Sequence, residues 1–255
     1  MIKIAIRNLF VVSVAVIAFS ACDMFYKDNY EAPNATLRGK ILDEVTGDLV
    51  ETDIQNGNAL RLDQYGWNPG GVLTRVVKQN GEYQDKQFFA GKYRLEFSSC
   101  NFYPHIIDTI VVNKGDNVMD FKVMPYIRVK NVKIIREGNE IVATFNLEAS
   151  KSEVRLNNVR LYFHTDMYVG DQVTRYALQG SGFQQTFSPT KVIDPNEQYK
   201  LTIDLTNATN KSYFKYVRNY YFRVGAMAAI AQGGTAVGTI RRNYAPYQII
   251  NFNTP

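Results

Sequence analysis

From residue 36 onward the chain alternates apolar and polar positions with a period of two. In Lys92-Tyr93-Arg94-Leu95-Glu96-Phe97 the apolar side chains point one way and the charges the other, the mark of a half-buried strand. Residues 36–41 repeat it, with Leu37 and Ile41 on one face and Arg38 and Lys40 on the other. Shorter runs follow at 60–62, 72–78, 106–112 and 121–123. The period returns after Pro125 at 141–147, 159–164, 199–205, 220–226 and 248–252. Asn80-Gly81 between apolar runs predicts a hairpin, and Gly138-Asn139 a second. No helical period of useful length appears in the first half. The pattern predicts an all-β protein of two tandem domains, 36–127 and 128–255. Pro125 marks the boundary because it cannot donate to a ladder.

The N-terminus follows another rule. Residues 9–19 are apolar except for Ser13, too short a run for the ~20 residues that a membrane-crossing helix needs. Lys3 and Arg7 precede it, and the small residues Ser20 and Ala21 follow, as in a cleaved signal peptide over 1–21. Phe19-Ser20-Ala21-Cys22 resembles a bacterial lipobox, departing from it at Phe19, where leucine is preferred. The resemblance implies cleavage before Cys22 and its acylation, with residues 22–35 as a flexible tether. Each buried methylene contributes about 0.8 kcal/mol, and stable anchoring takes more than one chain. The acidic residues from Asp23 onward resemble a surface-export signal of glycan-foraging Gram-negative bacteria. The expected location is the outer membrane, lipid-anchored, at the cell surface, with the periplasmic face as the alternative. Ordinary secretion with Cys22 incidental is the competing reading.

Composition adds limits. The formal charge is +5 and no basic run stands out, so nucleic acid is not implied. With Cys22 acylated, Cys100 is the other of two cysteines, which leaves no intrachain disulfide and suits a small buried apolar residue. Seventeen tyrosines and fifteen phenylalanines favour pleated, half-buried surfaces.

Residues 36–127 resemble the carboxypeptidase-regulatory, transthyretin-like β-sandwich, through Gly39-Lys40-Ile41-Leu42-Asp43, Thr46-Gly47, Gly81-Glu82-Tyr83 and Phe89-Ala90-Gly91-Lys92-Tyr93. The second half reads as an immunoglobulin-like sandwich, and Tyr220-Tyr221-Phe222-Arg223-Val224-Gly225-Ala226 is similar to a fibronectin type III strand. Asn80-Gly81-Glu82-Tyr83, Phe88-Phe89-Ala90-Gly91-Lys92-Tyr93 and Asn101-Phe102 resemble the lipoprotein family called domain of unknown function 3823. That resemblance implies a non-catalytic, cell-envelope glycan-binding accessory of a polysaccharide-uptake system, with SusC/SusD-like partners. The alternative is a scaffold of the same complex with no sugar site.

One stretch has the chemistry of a sugar site. Trp67 and Tyr65 offer aromatic faces for the C–H side of a pyranose, and Asp63 and Asn68 offer planar polar groups for its hydroxyls. Trp67 as a plug in the sandwich end is the structural alternative. A second aromatic run contains Tyr213 and Tyr216, for which core and edge packing is the expected role. Two long loops, 165–190 and 227–247, lie where sandwiches often bind ligands. Asp108-Thr109-Ile110 matches a short bacterial O-glycosylation motif. No metal or cofactor is expected: His105 and His164 are far apart, and Asp166 with Asp171 alone makes a poor calcium set. Gly180-Ser181-Gly182 reads as a turn, and no paired carboxylates or nucleophile signature point to an enzyme.

Overall fold

A computed structural model of the chain describes residues 31–66, 71–97, 99–173, 176–234 and 238–253. Cys22 and the leader lie outside the described residues, as do Trp67 and Asn68. The described chain is all-β apart from one six-residue helix, and it forms two tandem sandwiches.

The first sandwich comprises β1 (Ala35–Asp43), β2 (Ala59–Gln64), β3 (Leu73–Val76), β4 (Glu82–Phe88), β5 (Gly91–Phe97), β6 (His105–Val112), β7 (Gly115–Val118) and β8 (Phe121–Val123). One sheet runs β4-β1-β7, with β8 also paired to β1; the other runs β3-β2-β5-β6. The alternation sets which face is buried: Leu37, Ile41, Tyr93, Leu95 and Phe97 fill the core. Phe97 lies 5.4 Å, ring to ring, from both Phe102 and Phe121. Cys100 is buried and free, and burial pushes its thiol up to about 12.

The second sandwich comprises β9 (Ile127–Glu137), β10 (Glu140–Ala149), β11 (Val154–His164), β12 (Gln184–Val192), β13 (Gln198–Asp204), α1 (Ala208–Tyr213), β14 (Arg218–Ile230), β15 (Asn243–Tyr244) and β16 (Gln248–Phe252). Its sheets run β13-β10-β9 and β12-β11-β14-β15, with β16 also paired to β14. Phe163, Phe214, Phe222 and Phe252 stack in its core. Asn207 caps α1, its side chain accepting from the Thr209 and Asn210 amides. The helix delivers Phe214 to within 4.5 Å of the Phe163 ring.

Three local features differ from the pattern-based reading. The Asn80-Gly81 turn forms, with Gly81 at φ +83°, but it is not a hairpin. It joins β3 to β4, which belong to different sheets. The chain crosses here because its backbone is claimed elsewhere: Val77 N–H donates to Asn58 O, and Thr52 N–H to Gln79 O. The loop read over 165–190 contains β12, an edge strand so exposed and polar that it carries no apolar alternation. The helix α1 is too short to show a period. Gly138-Asn139 does turn a hairpin, with Glu137 opposite Glu140.

The sandwiches meet through buried polar groups. Arg223, on β14, is fully buried. Its Nε donates to Ala245 O at 2.9 Å, and Nη1 to Thr52 O and Val169 O at 2.8 and 3.2 Å. Nη2 donates to Glu51 Oε2 at 2.6 Å and to Gln79 O at 3.4 Å. All five guanidinium donors are thereby used. Around it, Asn58 and Asn101 exchange hydrogen bonds, and Asn243 donates to Asn101 O at 2.7 Å. Asp53 accepts from Tyr244 Oη and the Asp171 amide, both at 2.8 Å. Gly170 permits that approach: a Cβ there would sit 2.8 Å from the Asp53 carboxylate. Asp43 and Arg128 form a second buried ion pair across the junction.

Replacing Arg223 by methionine leaves Glu51 and four carbonyls without their donor. The expected loss is about 3–5 kcal/mol, read by urea unfolding. A loss under about 1 kcal/mol would mean that the junction does not depend on this residue. Burial raises the Asp43 carboxyl, but hydrogen bonds from Arg128 and from the Val45 and Thr46 amides outweigh it, so its pKa in the fold is below the ordinary value. The pair therefore contributes stability above the unfolded carboxyl's value of ~3.9, lost as pH falls through the lower folded value. Unfolding midpoints between pH 7 and 2.5 should fall more steeply in the wild type than in Asp43→Asn; parallel curves would contradict this.

Candidate functional site

Arg61, Asp63 and Tyr65 share the solvent face of the β3-β2-β5-β6 sheet, because Leu60 and Leu62, at the alternate positions, face the core. Tyr65 continues the ladder past β2, its amide donating to Lys92 O at 3.0 Å. The residue is 51% exposed, yet its hydroxyl donates to Asp108 O at 2.6 Å. Asp108 is on β6, two strands away from β2, so the ring lies across β5. The pairing of β5 with β6 shifts register between Tyr93 and Leu95, a bulge that frees backbone groups at this place. The result is a half-exposed tyrosine held at its amide and at its hydroxyl. Asp63 is opposite Arg94, and Arg94 contacts Glu96 at 3.2 Å. Ile106 and Val111 are half-exposed on β6. Tyr65 and Asp63 thus come together on one face, while the other two predicted site residues, Trp67 and Asn68, fall outside the described residues.

At the far end of the same face is a cavity of about 430 Å³, lined by Arg61, Thr74, Val76, Asn56, Ser99 and Arg241 among others. Asn56 holds a left-handed backbone, φ +54°, which asparagine tolerates in tight loops. Arg241 comes from the second sandwich. Its amide donates to Cys100 O at 3.0 Å, which seats it over the edge of the first. The sequence shows the arginine pair at 241–242 but not where a long loop carries it.

Two other openings are less suited to a ligand. A groove of about 400 Å³ follows the junction, lined by Asp43, Glu51, Arg128 and Tyr244 with apolar neighbours. Two of its acids are already matched: Asp43 binds Arg128, and Glu51 binds Arg223. Burial raises the Glu51 carboxyl while Arg223 draws it down. A crevice of about 70 Å³ between Asp53, Asp171 and Tyr244 has room for about two waters and not for a sugar ring.

The two long loops largely serve the fold. The 165–171 segment docks on the first sandwich: Gln79 donates to Met167 O and accepts from the Val169 amide. Tyr162 Oη donates to Asp171 Oδ1 at 2.7 Å, Tyr176 stacks on Phe163, and Phe183 is buried. Tyr168 remains 45% exposed. Tyr213 packs against Tyr176, whereas Tyr216 points outward, 59% exposed. Thr109 is exposed on β6. Among the described residues no group of three or more His, Cys, Asp and Glu is placed to hold a metal ion.

Comparison with known proteins agrees with this architecture. The N-terminal domain of a protein of unknown function (DUF3823) matches residues 35–124, and the domain of unknown function DUF3823_C matches 127–231. A solved Bacteroides uniformis structure, described as a "putative carbohydrate binding protein", shares 44% identity over 86% of this chain and 100% of its own, with a TM-score of 0.80. A DUF3823 family protein from Bacteroides ovatus shares the fold at 20% identity, covering 85% of this chain and 98% of its own, TM-score 0.65. Another from Parabacteroides merdae does so at 19% identity, covering 87% and 100%, TM-score 0.66. No curated protein matches the chain. Both family domains and the shared two-sandwich fold place the chain in the DUF3823 family.

Proposed function

We propose that the protein is a non-catalytic glycan-binding component of the cell envelope, with its sugar site on the solvent face of the first sandwich. The observation that carries this is Tyr65: a half-exposed ring held across β5 by its hydroxyl, beside Asp63 and the Arg94–Glu96 pair. A ring that is already ordered loses little freedom on stacking, so more of the contact energy remains as affinity. The likeness to a protein described as carbohydrate binding supports the same reading. Acylation of Cys22 would tether the two sandwiches to the outer membrane, at the cell surface, beside a SusC/SusD-like uptake pair. The scaffold alternative draws on the tip between α1 and β14, where Tyr216 and Val217 are 59% and 64% exposed. Such a tip suits a protein contact.

The test uses soluble protein lacking residues 1–22, in affinity electrophoresis against a panel of polysaccharides. Fluorescence of Trp67, the one tryptophan, is followed alongside. Retardation by at least one polysaccharide is expected. Tyr65→Ala should weaken it at least tenfold, about 1.4 kcal/mol, with circular dichroism unchanged. Full retardation of Tyr65→Ala would move the site elsewhere, and no retardation by any member of the panel would favour the scaffold.

A further inference from the structure

Along β14 the outward positions Arg223, Tyr221 and Asn219 pass from buried through half-buried to exposed. The first sandwich covers Arg223, through Glu51, Thr52 and Gln79, and leaves Asn219 open. We infer that this emerging face of the second sandwich is a second saccharide subsite, for a neutral sugar. Tyr221 and Tyr247 supply its stacking surface, and Asn219 and Asn251 its hydrogen bonds; this rests on the glycan reading above.

The sheet register brings these residues together from separate stretches of chain. Tyr221 lies opposite Ile249 on β16 and opposite His164 on β11, and Asn219 lies opposite Asn251. Directly opposed residues of an antiparallel pair share a face. Asn219, Tyr221, Ile249 and Asn251 therefore form one block, with His164 beside it. Tyr247, just before β16, closes the block: its ring centre is 5.3 Å from that of Tyr221, with the planes at 70°.

The two rings are seated on the junction. Both are partly buried and pack against Tyr162, Val169 and Tyr244, and the Val169 carbonyl is one of the acceptors of Arg223. They are thus positioned before a ligand arrives, and a ring held in advance loses less freedom on stacking. Ile249, 51% exposed, extends the apolar surface beside Tyr221.

The polar edge is made of amides. Asn251 Nδ2 donates to Asn219 Oδ1 at 2.6 Å, and both residues are exposed. The Asn219 amide nitrogen and the Asn251 amide oxygen have no further hydrogen bond among the described residues. One is a donor and the other an acceptor, the complement of a sugar hydroxyl, which is both. No side chain among Asn219, Tyr221, Tyr247, Ile249 and Asn251 is charged at neutral pH. Arg218, next along β14, turns to the Thr165 carbonyl at 2.9 Å. An uncharged sugar suits this block better than a uronate or a sulfated one. The block is also small beside the roughly 20–30 residues a side of a standard protein interface, which favours a sugar over a protein.

The test is affinity electrophoresis of soluble protein lacking residues 1–22. The probes are neutral polysaccharides (laminarin, xyloglucan, galactomannan and amylopectin among them), with polygalacturonate as the charged control. Tyr65→Ala should retain a weakened, saturable retardation by at least one neutral polymer, because the second subsite remains. Adding Asn219→Ala and Asn251→Ala to that variant should abolish it. Tyr221→Ala alone should weaken wild-type binding roughly fivefold, the worth of one stacked ring, and Tyr221→Phe should bind as wild type. Should Tyr221→Ala loosen the junction, seen by circular dichroism and urea unfolding, the exposed amide pair still decides. Wild-type affinity in both Tyr221→Ala and the amide variant would overturn the subsite and leave the Tyr65 site standing. Complete loss of binding in Tyr65→Ala would overturn it as well, since no second site would then bind alone. Undiminished binding by Tyr65→Ala, lost in the amide variant, would support this subsite and refute the Tyr65 site. Retardation by polygalacturonate and by no neutral polymer would overturn the neutral class. No retardation by any polysaccharide refutes the underlying glycan reading as well.

Discussion

A fully buried arginine holds this structure together. Arg223 spends all five donors, four on carbonyls and one on Glu51, and its partners come from both sandwiches. Tyr244 lies against its guanidinium, the charge 4.1 Å from the ring centre. A charge removed from water is tolerated only with such complete pairing. The junction therefore has one geometry in which the group is satisfied, and small slips of one sandwich on the other would each leave donors unpaired. The asparagine cluster of Asn58, Asn101 and Asn243 imposes the same kind of constraint a few residues away.

That constraint decides what the loops can do. The segments at 165–171 and 242–245, which lie at the end of a sandwich where ligands often bind, are occupied in joining the domains. What remains open on the first sandwich is the outer face of the β3-β2-β5-β6 sheet, with Tyr65 at one end and the Arg61–Arg241 cavity at the other. Arg241 reaches that cavity because the adjoining residues, from Arg242 to Ala245, are held in the junction. Stability and binding are thus linked through one short stretch of chain.

The all-β class and the core were legible in the sequence because strand alternation is a local signal. Tyr93, Leu95 and Phe97 announce their burial by spacing alone. The exposed edge strand β12 was not legible, since a strand with both faces wet has no apolar period. The Asn80-Gly81 turn was readable as a turn, but the sheet to which each flank belongs depends on contacts with Asn58 and Thr52. Of the proposed sugar site, Asp63 and Tyr65 were visible as residue types on one face. Arg223 was read within an alternating strand and gave no sign of burial: it occupies an outward position that another domain happens to cover. Arg241 was visible only as part of a loop, because its place is set by partners more than a hundred residues away in sequence.

The most direct test of the account is hydrogen–deuterium exchange on the soluble protein, with and without the polysaccharide that retards it most. Binding should slow exchange in residues 54–66, 91–97 and 105–112, the elements of the sheet face and its cavity. The junction segments 165–171 and 242–245 should exchange slowly in both states. Protection confined to the junction groove or to the 213–218 tip, with the sheet face unchanged, would contradict the account.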